Sequence, residues 1–270
     1  MHPVEAAALG ELVNAEIQEV EQTSDETNSV KGITETEIQR VEQNSEADSV
    51  KGKEVTTTKR RTKPPLNFIA FLNDAKKNSD IDISILEDPD KLRDLLYAGV
   101  FLEPKKLKYF VDEKFNKNCF VVFARKLDIC WSDNSQYWNW TEEKDTSGED
   151  IEVAELLRVC WLDIQGKIQT MNLSLRTVYE VVFVVKIKDK YQHNIWEDSE
   201  TLTIILPHSK TLTRLENLSK KPSGNWIEIQ VGEFEMSPEN VGEMTFKLEQ
   251  HSTNWKSGLL VKCAIIRPKN

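Results

Sequence analysis

The densest chemistry-bearing stretch of the chain is Trp131-Ser132-Asp133-Asn134-Ser135-Gln136-Tyr137-Trp138-Asn139-Trp140, in which large aromatics alternate with polar, turn-forming residues. A polar centre of this kind does not suit a buried strand, so the stretch is expected to be a loop at the edge of a sheet. Aromatic area held on a loop marks a binding surface. A sugar suits it: the axial C–H face of a pyranose is apolar and flat and can lie on an indole, while Ser, Asp, Asn and Gln exchange hydrogen bonds with the equatorial hydroxyls. Trp131 and Trp138 are the expected platforms, with Ser132, Asp133 and Asn134 as polar contacts. For Trp140, core plug and ligand platform stay equally open. Trp161, alternating with Cys160 and Leu162, reads as core. Trp226 and Trp255 are ambiguous, and Trp196 stands in a polar loop with no second aromatic beside it.

Other chemistry is thinly represented. There is no G-x-S-x-G elbow, phosphate loop or H-E-x-x-H pair, and Glu142, Glu143 and Asp145 after the Trp stretch read as a solvated turn rather than a glycosidase pair. No enzyme activity and no cofactor are expected. His2, His193, His208 and His251 are widely scattered, and Cys119, Cys130, Cys160 and Cys263 lack C-x-x-C spacing, so no metal site is expected and the thiols read as free.

These residues need a scaffold, and its limits are visible in the composition. All 22 aromatics of the 270-residue chain lie at or beyond Phe68. Residues 1–63 carry 13 acidic and 8 basic side chains with no aromatic and no Cys, too little apolar material to offset the entropy of ordering. A disordered acidic tail over 1–65 is therefore expected. It contains a duplication: Glu16-Ile17-Gln18-Glu19-Val20-Glu21-Gln22 recurs as Glu37-Ile38-Gln39-Arg40-Val41-Glu42-Gln43, and Ser29-Val30-Lys31-Gly32 as Ser49-Val50-Lys51-Gly52. Lys59-Arg60-Arg61-Thr62-Lys63-Pro64-Pro65 ends it as a linker or a nuclear import signal.

The net charge of −10 disfavours RNA as a partner. No run approaches the length of a membrane helix, and no basic residue precedes Ala6-Ala7-Ala8-Leu9, so the expected location is the cytosol. The triplets beginning at Asn139, Asn172 and Asn217 then go unglycosylated.

A short helical lead-in is expected over 66–110. One helix spans Leu66 to Ala75, and a second is capped by Asp88, opened by Pro89 and stopped by Gly99. Beyond Asn118 the apolar period becomes two, most plainly from Val178 to Lys188. Similar runs stand at Cys119–Ala124, Leu127–Trp131, Leu157–Ile164, Leu202–Leu206, Trp226–Val231, Met244–Leu248 and Leu259–Ile266. Gly166 reads as a hairpin turn, while Gly224, Gly242 and Gly258 punctuate later strands. The expected fold is all-β, an antiparallel sandwich or jelly roll over 111–270.

The same residues carry a family likeness. Gly99-Val100-Phe101-Leu102-Glu103-Pro104, Asn118-Cys119-Phe120, Ile129-Cys130-Trp131-Ser132-Asp133, Tyr137-Trp138-Asn139-Trp140, Val159-Cys160-Trp161-Leu162-Asp163-Ile164 and the ending Ala264-Ile265-Ile266-Arg267-Pro268 resemble, in order over about residues 90–270, phloem protein 2, the plant phloem lectins related to Nictaba. The resemblance implies a lectin for N-acetylglucosamine oligomers and N-glycan cores, with Trp131 and Trp138 at the sugar site. It further implies residence in cytosol, nucleus or sieve-element sap, a defence role, and, for some members, association with a filament protein. A homodimer is compatible with it. The alternative is a structural phloem scaffold that binds protein or RNA partners with little sugar binding. No F-box or TIR segment is recognised ahead of the domain.

Overall fold

The computed structural model describes residues 63–78, 81, 83–188, 196 and 198–269. The expected tail with its duplication lies outside the described residues, except for positions 63–65. Helix α1 (Phe68–Lys76) buries Phe71, Leu72 and Ala75. Helix α2 (Pro89–Ala98) has the ends its sequence predicts: the Asp88 carboxylate accepts from the N–H groups of Asp90 and Lys91 at 3.1 and 3.2 Å, Pro89 needs no donor partner, and Gly99 leaves the helix at φ 83°. No helix among the described residues is long and apolar enough to cross a membrane.

The strands are β1 (Val100–Glu103), β2 (Leu107–Val111), β3 (Asn118–Phe123), β4 (Asp128–Ile129), β5 (Trp138–Lys144), β6 (Asp150–Leu156), β7 (Val159–Gln169), β8 (Thr177–Ile187), β9 (Glu200–Ile205), β10 (Thr211–Glu216), β11 (Trp226–Met236), β12 (Glu243–Lys256) and β13 (Leu259–Pro268). Every pairing is antiparallel. The first sheet centres on β13. One edge of β13 is covered along its length by β8, which in turn pairs with β11; the other is shared by β3, leading to β2 and β1, and by β6, leading to β5. The second sheet has the order β10-β9-β12-β7-β4. Their inner faces meet in one core, where Phe183 of β8 lies edge-on to Phe246 of β12 at 5.7 Å. This is the antiparallel sandwich that the alternation predicts.

Two expectations change. Segment 66–110 is not a separate helical lead-in: β1 and β2 belong to the first sheet, the 110/111 boundary cuts β2, and Phe71 of α1 packs 4.4 Å from Tyr109 and 5.5 Å from Phe120. Gly166 is not a turn but an inward position of β7. A Cβ there would lie 2.2 Å from Phe246 Cζ and 2.8 Å from Leu127 Cδ2, so glycine is required for the Phe246 ring to cross the strand.

One oxygen of a core carboxyl lacks a partner. Glu200 opens β9 fully buried; Oε2 accepts the Leu218 N–H at 2.8 Å, but Oε1 has no partner, and neither has Oε1 of buried Gln250. The register Thr201↔Glu249 sets these two inward residues opposite each other. Protonation of Glu200 would give this pair of acceptors a donor. Burial above all, helped by the charge of Glu216 and opposed by the Leu218 N–H, pushes its pKa up to about 7. With the folded pKa above the unfolded value, the native state holds the extra proton, and stability falls as pH rises from about 4.5 through 7. The fall amounts to at most roughly 3 kcal/mol, or several degrees in Tm. Thermal unfolding across this range should show the decline in the native chain and a flatter profile in Glu200→Gln; identical profiles would refute the protonated carboxyl.

Candidate functional site

The Trp131–Trp140 segment is a run of tight turns closing into β5. Backbone bonds run from Ser132 N to Ile129 O (3.0 Å), Asn134 N to Trp131 O (3.0 Å) and Trp138 N to Asn134 O (3.0 Å), and the Asn134 side-chain oxygen accepts from Gln136 N at 2.9 Å. Trp131 sits within the first turn at φ 59°, a left-handed conformation that is unusual for a bulky side chain and costs about 1–3 kcal/mol. Its ring is 48% exposed and rests against Tyr137, centroids 5.6 Å apart.

The other two indoles hold this residue in place. Trp138 Nε1 donates to the Cys130 carbonyl and Trp140 Nε1 to the Ser132 carbonyl, both at 3.0 Å, so the carbonyls of the two residues flanking Trp131 are fixed by indole N–H groups. Trp138 is 2% exposed and packed in the core. It has no face to offer a ligand, which corrects its expected role as a platform. Trp140 is half-buried, with the Arg125 guanidinium 3.6 Å above its ring and itself held by Glu152 at 2.6 and 2.8 Å, so one face is taken and the residue acts chiefly as a plug. Of the expected polar contacts, Asp133 and Asn134 are exposed and Ser132 is half-buried. The Asn134 side-chain oxygen is engaged in the turn, accepting from Gln136 N.

Two exposed apolar residues missing from the expected site, Leu157 and Trp255, are tied to the same loop. Leu157 and Arg158 form the turn from β6 into β7, and both of their N–H groups reach the Tyr137 carbonyl, at 2.8 and 3.4 Å. Arg158 lies 4.4 Å over Trp255, which is 46% exposed. Trp255 stands on a bulge, since His251 pairs with Trp161 but the next pair is Lys256 with Val159. The buried Lys256 ammonium closes that bulge by donating to Cys160 O (2.6 Å), Asn254 O (3.0 Å) and Ser252 Oγ (3.1 Å).

Trp161, read as core, is 46% exposed: on β7 the inward set is Leu162, Ile164, Gly166 and Ile168, and Trp161 belongs to the outward set with Asp163 and Gln165. Trp196 is buried with its N–H on Ser257 O, and Trp226 is half-buried against Glu143 under Lys186, so neither joins the corner.

The phloem protein 2 family model matches residues 117–268, more than half of the chain. The chain belongs to the phloem protein 2 family. It is 42% identical over 211 residues to phloem protein 2-like A1 of Arabidopsis thaliana, covering 77% of this chain and 82% of the relative. It is 37% identical over 194 residues to a lectin of Luffa acutangula, covering 72% and 91%. Among solved structures, a xylan-binding domain from Paenibacillus barcinonensis aligns with a TM-score of 0.31 and 15% identity over 62% of this chain and 94% of that domain. The span matched to phloem protein 2 takes in the whole exposed corner, from Cys130 to Trp255.

In this phloem protein 2 chain the anchoring indole and the displayed indole should separate in stability measurements. Trp138→Phe keeps the ring but leaves the Cys130 carbonyl without its donor and should cost about 1–3 kcal/mol. Trp131→Gly relieves the left-handed strain and should leave thermal stability unchanged or raised. Full stability of Trp138→Phe would refute its anchoring role.

Proposed function

We propose that the chain is a lectin in which Trp131 stacks on the apolar face of an N-acetylglucosamine ring in a chitin oligomer or N-glycan core. The observation that carries this reading is the exposed Trp131 ring, held at a strained backbone position by two buried or half-buried tryptophans. Strain that the surroundings over-determine is a mark of binding sites, and nothing in the packing of the sandwich needs an indole there. Tyr137 backs the ring, and Asp133, Ser132 and the Asn134 amide stand within the same turns to meet hydroxyls and the acetamido group. Leu157 and Trp255, tied to the loop through the Tyr137 carbonyl and Arg158, extend the apolar surface for a neighbouring sugar. Membership of the family, and the likeness to a Luffa acutangula lectin, support the same conclusion.

The sugar reading is tested by titrating chitin oligomers into the full chain and into Trp131→Ala. Losing one well-formed stacking contact of this size should weaken binding by at least about 1.5 kcal/mol, roughly tenfold, with circular dichroism unchanged. Equal affinity in the two would overturn the site. A glycan array without signal would overturn the lectin reading itself and favour the phloem scaffold that binds protein partners.

A further inference from the structure

The outer face of the second sheet brings together three metal-type donors that lie far apart in sequence. Asp163 on β7 is directly opposite Glu249 on β12, and His251 follows Glu249 by two residues on the same outward face. One donor atom from each lies within 4.8 Å of the other two, and His251 Nε2 is 3.6 Å from Asp163 Oδ2. Two ligands at i and i+2 of one strand with a third on its neighbour form a triangle whose outward side stays open.

The imidazole is held for this position. Trp161, opposite His251 across the strand pair, stacks on its ring at 3.7 Å with only 13° between the planes, which fixes the ring plane beside the two carboxylates. Lys247 is 3.2 Å from Glu249 and offsets part of the negative charge. Among the described residues no other group of three or more histidine, cysteine or acidic side chains converges in this way.

We infer that Asp163, Glu249 and His251 bind one divalent transition-metal ion of the zinc class on the face beside Trp131. A nitrogen donor with two carboxylates suits Zn²⁺, Co²⁺ or Ni²⁺ better than Ca²⁺ or Mg²⁺, which take oxygen ligands in larger number. The outward positions of the ion are left to water or to an oxygen of an incoming ligand. This site stands independently of the lectin reading, because none of its three ligands is needed for stacking on Trp131.

The full chain, freed of metal with a chelator, is titrated with Zn²⁺ by calorimetry and with Ni²⁺ while following tryptophan fluorescence. The expected result is one ion per chain, with Ni²⁺ quenching that saturates and is reversed by excess Zn²⁺ but not by Ca²⁺. His251→Ala and Asp163→Asn should each weaken binding by at least about tenfold. Trp161→Phe should keep the ion and lose most of the quenching, because its indole is the one stacked on a ligand ring. Absence of saturable binding in the native chain would overturn the site. So would unchanged affinity in both ligand variants, which retain His2, His193 and His208 and would then be binding the ion there.

Discussion

The exposed corner depends on two hydrogen bonds, from the indole nitrogens of Trp138 and Trp140 to the carbonyls of Cys130 and Ser132. A neutral hydrogen bond contributes only about 1 kcal/mol net, yet leaving a buried indole N–H without an acceptor costs more, so each bond is enforced by the burial of its donor. The two donors come from alternate positions at the start of β5, and the two acceptors flank a single residue. Trp131 is thereby confined to a left-handed conformation that a tryptophan would leave if the chain were free. The strain is offset where it cannot relax, in the core contacts of Trp138 and the Arg125 guanidinium over Trp140.

The sandwich supplies the fixed points for that arrangement. β4 is only two residues long, but it registers Ile129 against Ile164 and lets Cys130 N bond Asp163 O, which places the start of the loop at the edge of the second sheet. β5 belongs to the first sheet and pairs with β6 from Trp138 to Lys144. The loop therefore crosses from one sheet to the other, and its end is tied to both. A segment pinned at the edges of two layers of one core has little freedom to collapse onto the surface, which is why the Trp131 ring can stay exposed.

Much of this was legible in the sequence, and the exceptions have particular causes. The period of two pointed to the right fold, because it is a local signal, and the polar residues between the tryptophans pointed to the turns that the segment makes. The ranking of the indoles was not local. Trp138 and Trp131 look alike in sequence, and only burial separates them: Trp138 lies in the core with its N–H on the Cys130 carbonyl, while Trp131 is half exposed. Trp161 could have been read correctly, since the run Leu162, Ile164, Gly166 and Ile168 sets the inward phase and puts Trp161 out of it; alternation with Cys160 on one side suggested otherwise. Gly166 looked like a turn because glycine punctuates chains, whereas the reason for it here, the Phe246 ring, comes from β12. Glu249 and His251 meet Asp163 only through strand register, so no spacing rule could find them.

The seven tryptophans divide by what covers them, and the division has a direction. Trp138 and Trp196 are buried, while Trp140 and Trp226 are half-buried beneath cationic side chains, Arg125 in the first case and Lys186 in the second. The remaining three are about half exposed, and each is backed on one side: Trp131 by Tyr137, Trp161 by His251 and Trp255 by Arg158. Backing restricts the rotamers of a surface indole and so lowers the entropy lost when a ligand covers its other side. Two of the three are also produced by local departures from regular strand geometry, a positive φ at Trp131 and a bulge before Lys256 at Trp255. Packing alone favours neither departure, since each leaves apolar area in water. Both are tied to one backbone junction, the Tyr137 carbonyl bonded by the Leu157–Arg158 turn with Arg158 over Trp255, so the two departures are held by shared contacts and not by separate accidents of loop length.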